Sequence, residues 1–474
     1  MSEQNPATVA APAGPVVVIG AGPVGLAAAA HLAERGLDFL VLESGPTVAA
    51  AIEEWRHVKL FSPWRYDIDS AARRLLEQSG WIEPDLAKLP TGGDLIDSYL
   101  APLVKTPELT DRIRYNAAVT AVTRVGYDRL RTAGREQAPF LIRLADGTEL
   151  LASAVIDATG TWRRPNVLGG SGIPARGESD ITDSIAHALP DVLGRDRDRF
   201  AGRRTAVVGA GHSASTTLLD LGELAEQVPG TEIVWVVRNS NQARTYGGGE
   251  SDELPARGAL GTRLKRLVQS GKVELTSNFR IEAATRTADG RVELTAGERS
   301  VIADTVVNAT GFRPDHDMVS ELRLDLDSIM GSTRALAPLI DPNQHSCGTV
   351  PPHGADELAH PEPRYYAIGA KSYGRAPTFL LATGYEQARS VVAALAGDWE
   401  AARDVQLDLP ETGVCSSNLA YGDSNDEAAG GCCGPAPQAV EISAPAGRGL
   451  ATGISGGLLT VIDNAPTNQS SCCN

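Results

Sequence analysis

The sequence predicts an α/β fold of two three-layer units, the second inserted in the first, followed by a flexible C-terminal tail. Three observations carry that prediction. A strand, glycine-rich turn, helix and strand occur in register twice, in PVVVIGAGPVGLAAAAHLAERGLDFLVLES from Pro15 and in TAVVGAGHSASTTLLDLGELAEQVPGTEIVWVVRNS from Thr205. Each copy is answered downstream by an apolar strand ending in ATG, in AVIDATGTW and TVVNATGFRPD. From Ala401 the composition changes to glycine, alanine, serine and proline without a single lysine, and five of the six cysteines of the chain fall there.

In the first copy an apolar run suited to a buried parallel strand meets Gly20, Gly22 and Gly25. Glycine permits the tight turn, the close approach of backbone to a pyrophosphate, and the close packing of helix on strand. Pro23 and Val24 open the helix, whose N-terminus faces phosphate charge. The second strand closes on Glu43, where a carboxylate can accept ribose hydroxyls. Together these spell a Rossmann-like site for FAD, with Thr159 and Gly160 of the answering ATG strand beside it. Further on, YYAIGAKSYGRAPTFLLATGYEQARSVVAALAG reads as a strand, a turn at Gly369 and a helix from about Thr383 to Leu395. Such a helix can aim its positive end at the flavin pyrimidine ring.

The second copy keeps Gly209 and Gly211, adds Ser213, and holds Ala214 at the third glycine position. Its second strand closes on Arg238 instead of an acid. A carboxylate there would repel a 2'-phosphate and an arginine can pair with it, so the site suits NADPH, with Thr310 and Gly311 in its answering strand. The expected order is an FAD domain begun by residues 1–170, an NADPH domain over 171–305, a return to the FAD domain over 306–400, and a tail over 401–474.

Composition narrows the partners. Lys plus Arg is 43 against 59 Asp plus Glu, a net charge of −16, which disfavours nucleic acid. The N-terminal stretch has no basic segment leading into an apolar core, and no window holds eighteen uninterrupted apolar residues, so a cytoplasmic protein without a membrane partner is expected. A small-molecule substrate and a homodimer are compatible with all of this.

With both sites placed, the chain resembles the two-dinucleotide-binding flavoproteins and, more narrowly, the flavin-containing monooxygenases. GAGPVG, GAGHSAS, the two ATG strand ends and EEWRHVKLFSPWRYDID carry the likeness over roughly residues 14–396. The resemblance implies that Trp55 lies near the flavin with Arg56 and His57 as neighbours. In that setting Trp55, Trp64 and Tyr66 would wall the site, and His57 or Arg65 would steady negative charge, making Trp55, His57 and Arg65 the candidate catalytic set. Two features depart from the group. Glu53 and Glu54 stand where glycines usually precede the tryptophan, and no FxGxxxH string precedes the second glycine motif. His187, the only histidine between Gly172 and Arg204, is expected at the surface or a helix end.

Disulfide reductases share this fold and place two cysteines beside the flavin, whereas the first 346 residues here contain none. The tail pairs Cys432–Cys433 and Cys472–Cys473, with Cys415, instead suit a soft metal or metalloid ion held by thiolates. The flavoproteins of bacterial arsenic-resistance operons resemble this combination. The implied activity is NADPH-dependent oxidation of a soft nucleophile such as a trivalent arsenical. Two alternatives stand beside it: an NADPH-flavin reductase whose tail thiols bind or reduce a thiophilic ion, and a flavin-based sensor.

Overall fold

The structure, a computed structural model, describes residues 12–247, 254–342, 350–376 and 379–407. β1 (Val16–Ile19) consists of four buried aliphatic residues and leads through the glycine turn into α1 (Pro23–Glu34). β2 (Phe39–Leu42) lies parallel to β1, Val16 opposite Phe39 and Ile19 opposite Leu42. Helix α2 (Ser70–Gln78) follows, its first turn capped by Asp69, which accepts from the Ala72 amide. β3 (Ile113–Arg114) then extends the sheet beyond β2. A meander of β4 (Val119–Arg124), β5 (Phe140–Leu144) and β6 (Glu149–Ala152) precedes β7 (Ala154–Asp157), which returns alongside β1.

The second unit repeats the plan. β8 (Ile185–Ala186) comes first, then β9 (Arg204–Val208), α3 (His212–Gln227) and β10 (Glu232–Val236). Next are α4 (Pro255–Gln269) and β11 (Glu274–Thr276). A second meander, β12 (Ala283–Arg286), β13 (Val292–Ala296) and β14 (Arg299–Ala303), again precedes the ATG strand, β15 (Thr305–Asn308). The chain then returns to the first sheet with β16 (Tyr365–Ala367) and α5 (Leu381–Leu395). The strand orders are β16-β7-β1-β2-β3 and β11-β10-β9-β15-β8. Both sheets are therefore parallel cores with helices on one face and a meander on the other, a three-layer arrangement.

Apolar burial explains the layers. Ala27, Ala28, Ala29 and Ala30 of α1 are completely buried, and their small side chains let the helix lie close to the sheet and to α5. On the opposite face Val17, Ile19 and Val155 pack with Val122, Phe140 and Ile142 of the meander. In the second unit Leu218 and Leu221 of α3 cover Val207 and Trp235, while Leu294 and Val301 of the meander cover Val208 and Val234.

Three boundaries differ from the sequence reading. β15 pairs with β9, so the second sheet runs through Asn308, past the expected end at 305. Helix α5 begins at Leu381, two residues before Thr383. Residues 401–404 are not tail: Arg389 donates to the carbonyls of Ala401 and Asp404, and Ser390 to that of Ala402. The remainder of the expected tail, with Cys415, Cys432, Cys433, Cys472 and Cys473, lies outside the described residues, as does Cys347.

Candidate functional site

A cavity of about 1200 Å³ runs between the two units and takes residues from both glycine-turn regions. Its first end is the turn after β1. Gly20 has φ +105°, and a Cβ on it would come 2.7 Å from the Ala158 carbonyl oxygen; one on Gly25 would stand 2.0 Å from that of Gly20. At Gly22 a Cβ would meet nothing, so open space adjoins the uncapped first turn of α1. An uncapped helix start with its positive end on open space is suited to an anion.

Glu43 is buried at the end of β2. Its carboxylate accepts from the Ala21 amide at 2.8 Å and the Gly45 amide at 2.7 Å, and it lines the cavity. Beyond it lie Thr159, Gly160 and Gly369. Val24 packs between Gly369 and Gly384, so the first turn of α1 is locked against the start of α5. Leu380 and Leu381 at that start also line the cavity, and no side chain caps α5. Its positive end is therefore free to face the cavity.

A buried charge cluster lies under this end and is absent from the sequence reading. The Lys371 ammonium bonds to Asp157 Oδ2 at 2.5 Å and to Thr159 Oγ1 at 3.2 Å. Tyr365 donates to the same Asp157 oxygen at 3.0 Å, and Thr159 to Oδ1 at 2.7 Å. Asp157 precedes the ATG, which was a signal; Lys371 lies 214 residues away, with none.

The other end of the cavity is formed by Ser213, Thr216 and Asp220 of α3 and by Leu260 and Arg263 of α4, facing the loop around Phe61. The Phe61 and His212 rings are 5.1 Å apart. Burial pushes the Asp220 carboxyl up to about 6, its neighbour Glu223 adding to the shift and Arg263 opposing it. Gly209 repeats the Gly20 arrangement, φ +137° with its Cβ position 2.0 Å from the Ala309 carbonyl oxygen. Gly211 again adjoins open space, and Ala214 is fully buried. Neither these three nor Arg238, which is exposed just past β10, is part of the cavity wall.

Between the ends stands an aromatic cluster. Trp55 is 6.3 Å from Trp162, which lies 5.1 Å from Phe312 and 4.1 Å from His187. Glu54 accepts the Trp162 indole N–H at 2.8 Å and pairs with Arg163 at 2.7 Å. Glu54 thus orients a cavity aromatic. His187 is exposed, as expected of a surface histidine, yet leans on two rings. His57 lines the cavity; burial lowers its pKa, and its Nε2 is buried without a hydrogen-bond partner among the described residues.

Other candidates are placed elsewhere. Arg65 points out to solvent over the Tyr66 ring and does not line the cavity, so it is removed from the catalytic set. The short helical turn Trp64–Tyr66 explains why: Trp64 takes the inward position and is buried in the core, sending its neighbour outward. Thr310 and Gly311 belong to the junction of the units. There the Asn166 amide donates to the Gly311 carbonyl at 2.9 Å, and the Arg313 amide to the Arg164 carbonyl at 3.0 Å. Among the described residues no group of His, Cys, Asp and Glu could hold a metal, and no helix is long and apolar enough to cross a membrane.

Comparison with known proteins agrees with this architecture. The chain is 25% identical over 380 residues, 79% of its length and 88% of the relative's, to a ferredoxin–NADP reductase of Rhodospirillum rubrum. It is 30% identical over 212 residues, 43% of its length and 44% of the relative's, to the indole-3-pyruvate monooxygenase YUCCA1 of Oryza sativa subsp. japonica. The bacillithiol disulfide reductase Bdr of Bacillus cereus superposes with a TM-score of 0.60 at 18% identity, over 81% of this chain and 98% of that one. The FAD-bound cadaverine monooxygenase DfoA of Erwinia amylovora does so with 0.56 at 16%, over 87% and 98%. Those two likenesses are of fold. The family model described as pyridine nucleotide-disulphide oxidoreductase matches residues 17–347, and the chain belongs to that family as an FAD- and pyridine-nucleotide-dependent oxidoreductase.

Proposed function

We propose that the protein is an NADPH-dependent monooxygenase that oxidises a soft nucleophile, and that residues 1–170 and 306–400 serve FAD while 171–305 serve NADPH, with the second sheet's overrun to Asn308 included. The observation that carries the reading is the single cavity reached by the glycine turn of one unit and by α3 of the other, with Trp55, Phe61, Leu89 and Leu260 as apolar wall. A cavity shared by the two helix starts is what a hydride transfer between two bound cofactors would need, and this supports the reading.

The Gly20–Gly25 turn would hold the FAD pyrophosphate, Glu43 its ribose, and Thr159, Gly160 and Gly369 the flavin end. Gly209, Gly211, Ser213 and Ala214 would hold NADPH at the start of α3, with Arg238 answering the 2'-phosphate. Held there, the two cofactors would supply the hydride and the two-electron chemistry toward dioxygen. The protein's own contribution is to exclude water and align the reactants: Trp55 and Trp162 wall the middle, and His57, whose pKa burial lowers, stands in the same wall. The balance is one NADPH, one proton, one dioxygen and one substrate to NADP+, water and the oxygenated substrate. With no cysteine before Cys347, the first two domains contain no dithiol to divert the electrons. A trivalent arsenical is the specific soft nucleophile we favour, on the strength of the thiol pairs that end the sequence.

The test is NADPH turnover by full-length, FAD-loaded protein with isotopically labelled dioxygen and, separately, arsenite, sulfides and amines. Substrate-dependent turnover with label in the product is expected. Recovery of all electrons as hydrogen peroxide, or transfer only to one-electron acceptors, rejects a monooxygenase in favour of a reductase.

A further inference from the structure

The proposed reaction consumes one proton per turnover, and a buried carboxyl beside the cavity has no part in it so far. Asp67, in the stretch LFSPWRYDID, is completely buried. Its Oδ1 accepts the Ser62 hydroxyl at 2.8 Å, and its Oδ2 is buried with no hydrogen-bond partner among the described residues. Ser62 lines the cavity. We infer that Asp67 and Ser62 form a proton relay into this cavity, Asp67 holding the proton and the Ser62 hydroxyl passing it on.

The surroundings leave that role open to Asp67. On α5 the Tyr385 hydroxyl donates to the Asp67 backbone carbonyl at 2.8 Å, sparing the carboxyl. The Tyr99 hydroxyl accepts from the Asp69 amide at 3.0 Å. His31 of α1 is engaged by Asp69 at 3.1 Å, and no ion pair to Asp67 exists among the described residues. A carboxyl placed so deeply without a cation is favoured in its neutral, proton-carrying form. Burial pushes it up to about 7 against the lowering effect of the Ser62 bond, so near neutrality it can both give and regain a proton.

The transfer balances without any oxidant. With its proton on Oδ1, Asp67 donates to Ser62 Oγ while the Ser62 hydroxyl donates to an oxygen lone pair in the cavity. As that lone pair takes the hydroxyl proton, the Asp67 O–H bond breaks and a new one forms on Ser62. Asp67 is left as a carboxylate capped by Ser62, and a proton entering from the cavity side reverses both shifts.

This inference rests on the monooxygenase reading for its reaction but not for its test. Full-length, FAD-loaded wild type, Asp67→Asn, Ser62→Ala and Ser62→Thr are compared by infrared titration and by turnover. Wild type should show a carboxylic-acid stretch that titrates near neutrality, is missing in Asp67→Asn and is displaced in Ser62→Ala. Asp67→Asn keeps the size and the Ser62 acceptor but lacks the proton, and its turnover should fall about a hundredfold with the neutral limb of the pH profile lost. Ser62→Ala should do the same, and Ser62→Thr, which keeps a hydroxyl, should recover most of the rate. Because the folded-state pKa lies above the ordinary 3.8, Asp67 contributes stability that is lost as pH rises from about 4 to about 7, and a folded Asp67→Asn should show a shallower decline than wild type over that window. A stretch that does not titrate between about pH 5 and pH 9, or an Asp67→Asn enzyme with wild-type rate and pH profile, overturns the relay. Failure to find any oxygenated product overturns the monooxygenase reading while the infrared result still decides the relay.

Discussion

The two units share a plan down to single atoms and differ at the start of the helix and the end of the second strand. In each, the first glycine of the turn sits with positive φ against the carbonyl of the alanine in the answering ATG, Gly20 on Ala158 and Gly209 on Ala309. In each, a meander leads into that ATG strand, which lies beside the first strand of the unit. The differences are at two positions. The third residue of the helix is Gly25 in α1 and Ala214 in α3, and the end of the second strand carries the buried Glu43 in one case and the exposed Arg238 in the other. The first unit closes tightly on its own carboxylate; the second stands one methyl looser and leaves its strand end to solvent. On the proposed reading, the common fold would set where a dinucleotide goes and these side chains which one.

The sharpest way to break this comparison is to exchange the third helix residue. A methyl on Gly25 would stand 2.0 Å from the Gly20 carbonyl oxygen, a backbone atom that cannot step aside. Gly25→Ala should therefore cost about 3 kcal/mol or more and release FAD, by denaturant titration and flavin retention. The reciprocal Ala214→Gly removes a buried methyl near a helix start and should cost only about 1 kcal/mol, with FAD unaffected. Equal effects would show that the helices sit at the same height and that the difference in residue is incidental.

A smaller effect tests the strand ends. The Glu43 carboxylate ties together two backbone amides, from Ala21 and Gly45, while facing the cavity. Glu43→Gln keeps the shape but gives up the charge and one accepting oxygen, so one amide loses its charge-assisted partner. The expected loss is about 2 kcal/mol, read as a roughly thirtyfold weaker FAD affinity with NADPH binding unchanged. Weakening of both nucleotides alike would make Glu43 a general scaffold residue.

How much of this was legible before folding follows from the range of the interactions. The glycine turns, Glu43 and the ATG ends announce themselves because each acts within one turn or one strand register, where spacing fixes geometry. Lys371 and Asp157 did not, because the pair exists only once β16 is laid beside β7. Sequence places Trp64 and Tyr66 in the wall and Arg65 as a steadying charge, but a tight helical turn buries Trp64 in the core and sends Arg65 to solvent. Thr310 and Gly311 repeat Thr159 and Gly160 in sequence yet pair with Asn166 across the junction, since the inserted unit must be joined twice. The Trp162–Glu54 bond was hidden by 108 residues of separation.

The least disruptive test concerns Arg238, which is exposed and has no hydrogen bond or ion pair among the described residues. Removing it should leave the second unit intact, so any change reports on ligand alone. If the guanidinium answers a 2'-phosphate, Arg238→Ala loses a charge-assisted contact that NADH never makes. An exposed contact is partly screened, so the ratio of kcat/KM for NADPH to that for NADH should fall about tenfold, chiefly through KM for NADPH, and less at high salt. Arg238→Glu should go further by placing an acid where the first unit keeps one, turning the second strand end into an imitation of the first. A preference that moves with neither substitution would mean that the strand-end charge does not distinguish the two units, and that the discriminating contact comes from another cation such as Arg263, which already lines the cavity beside α3.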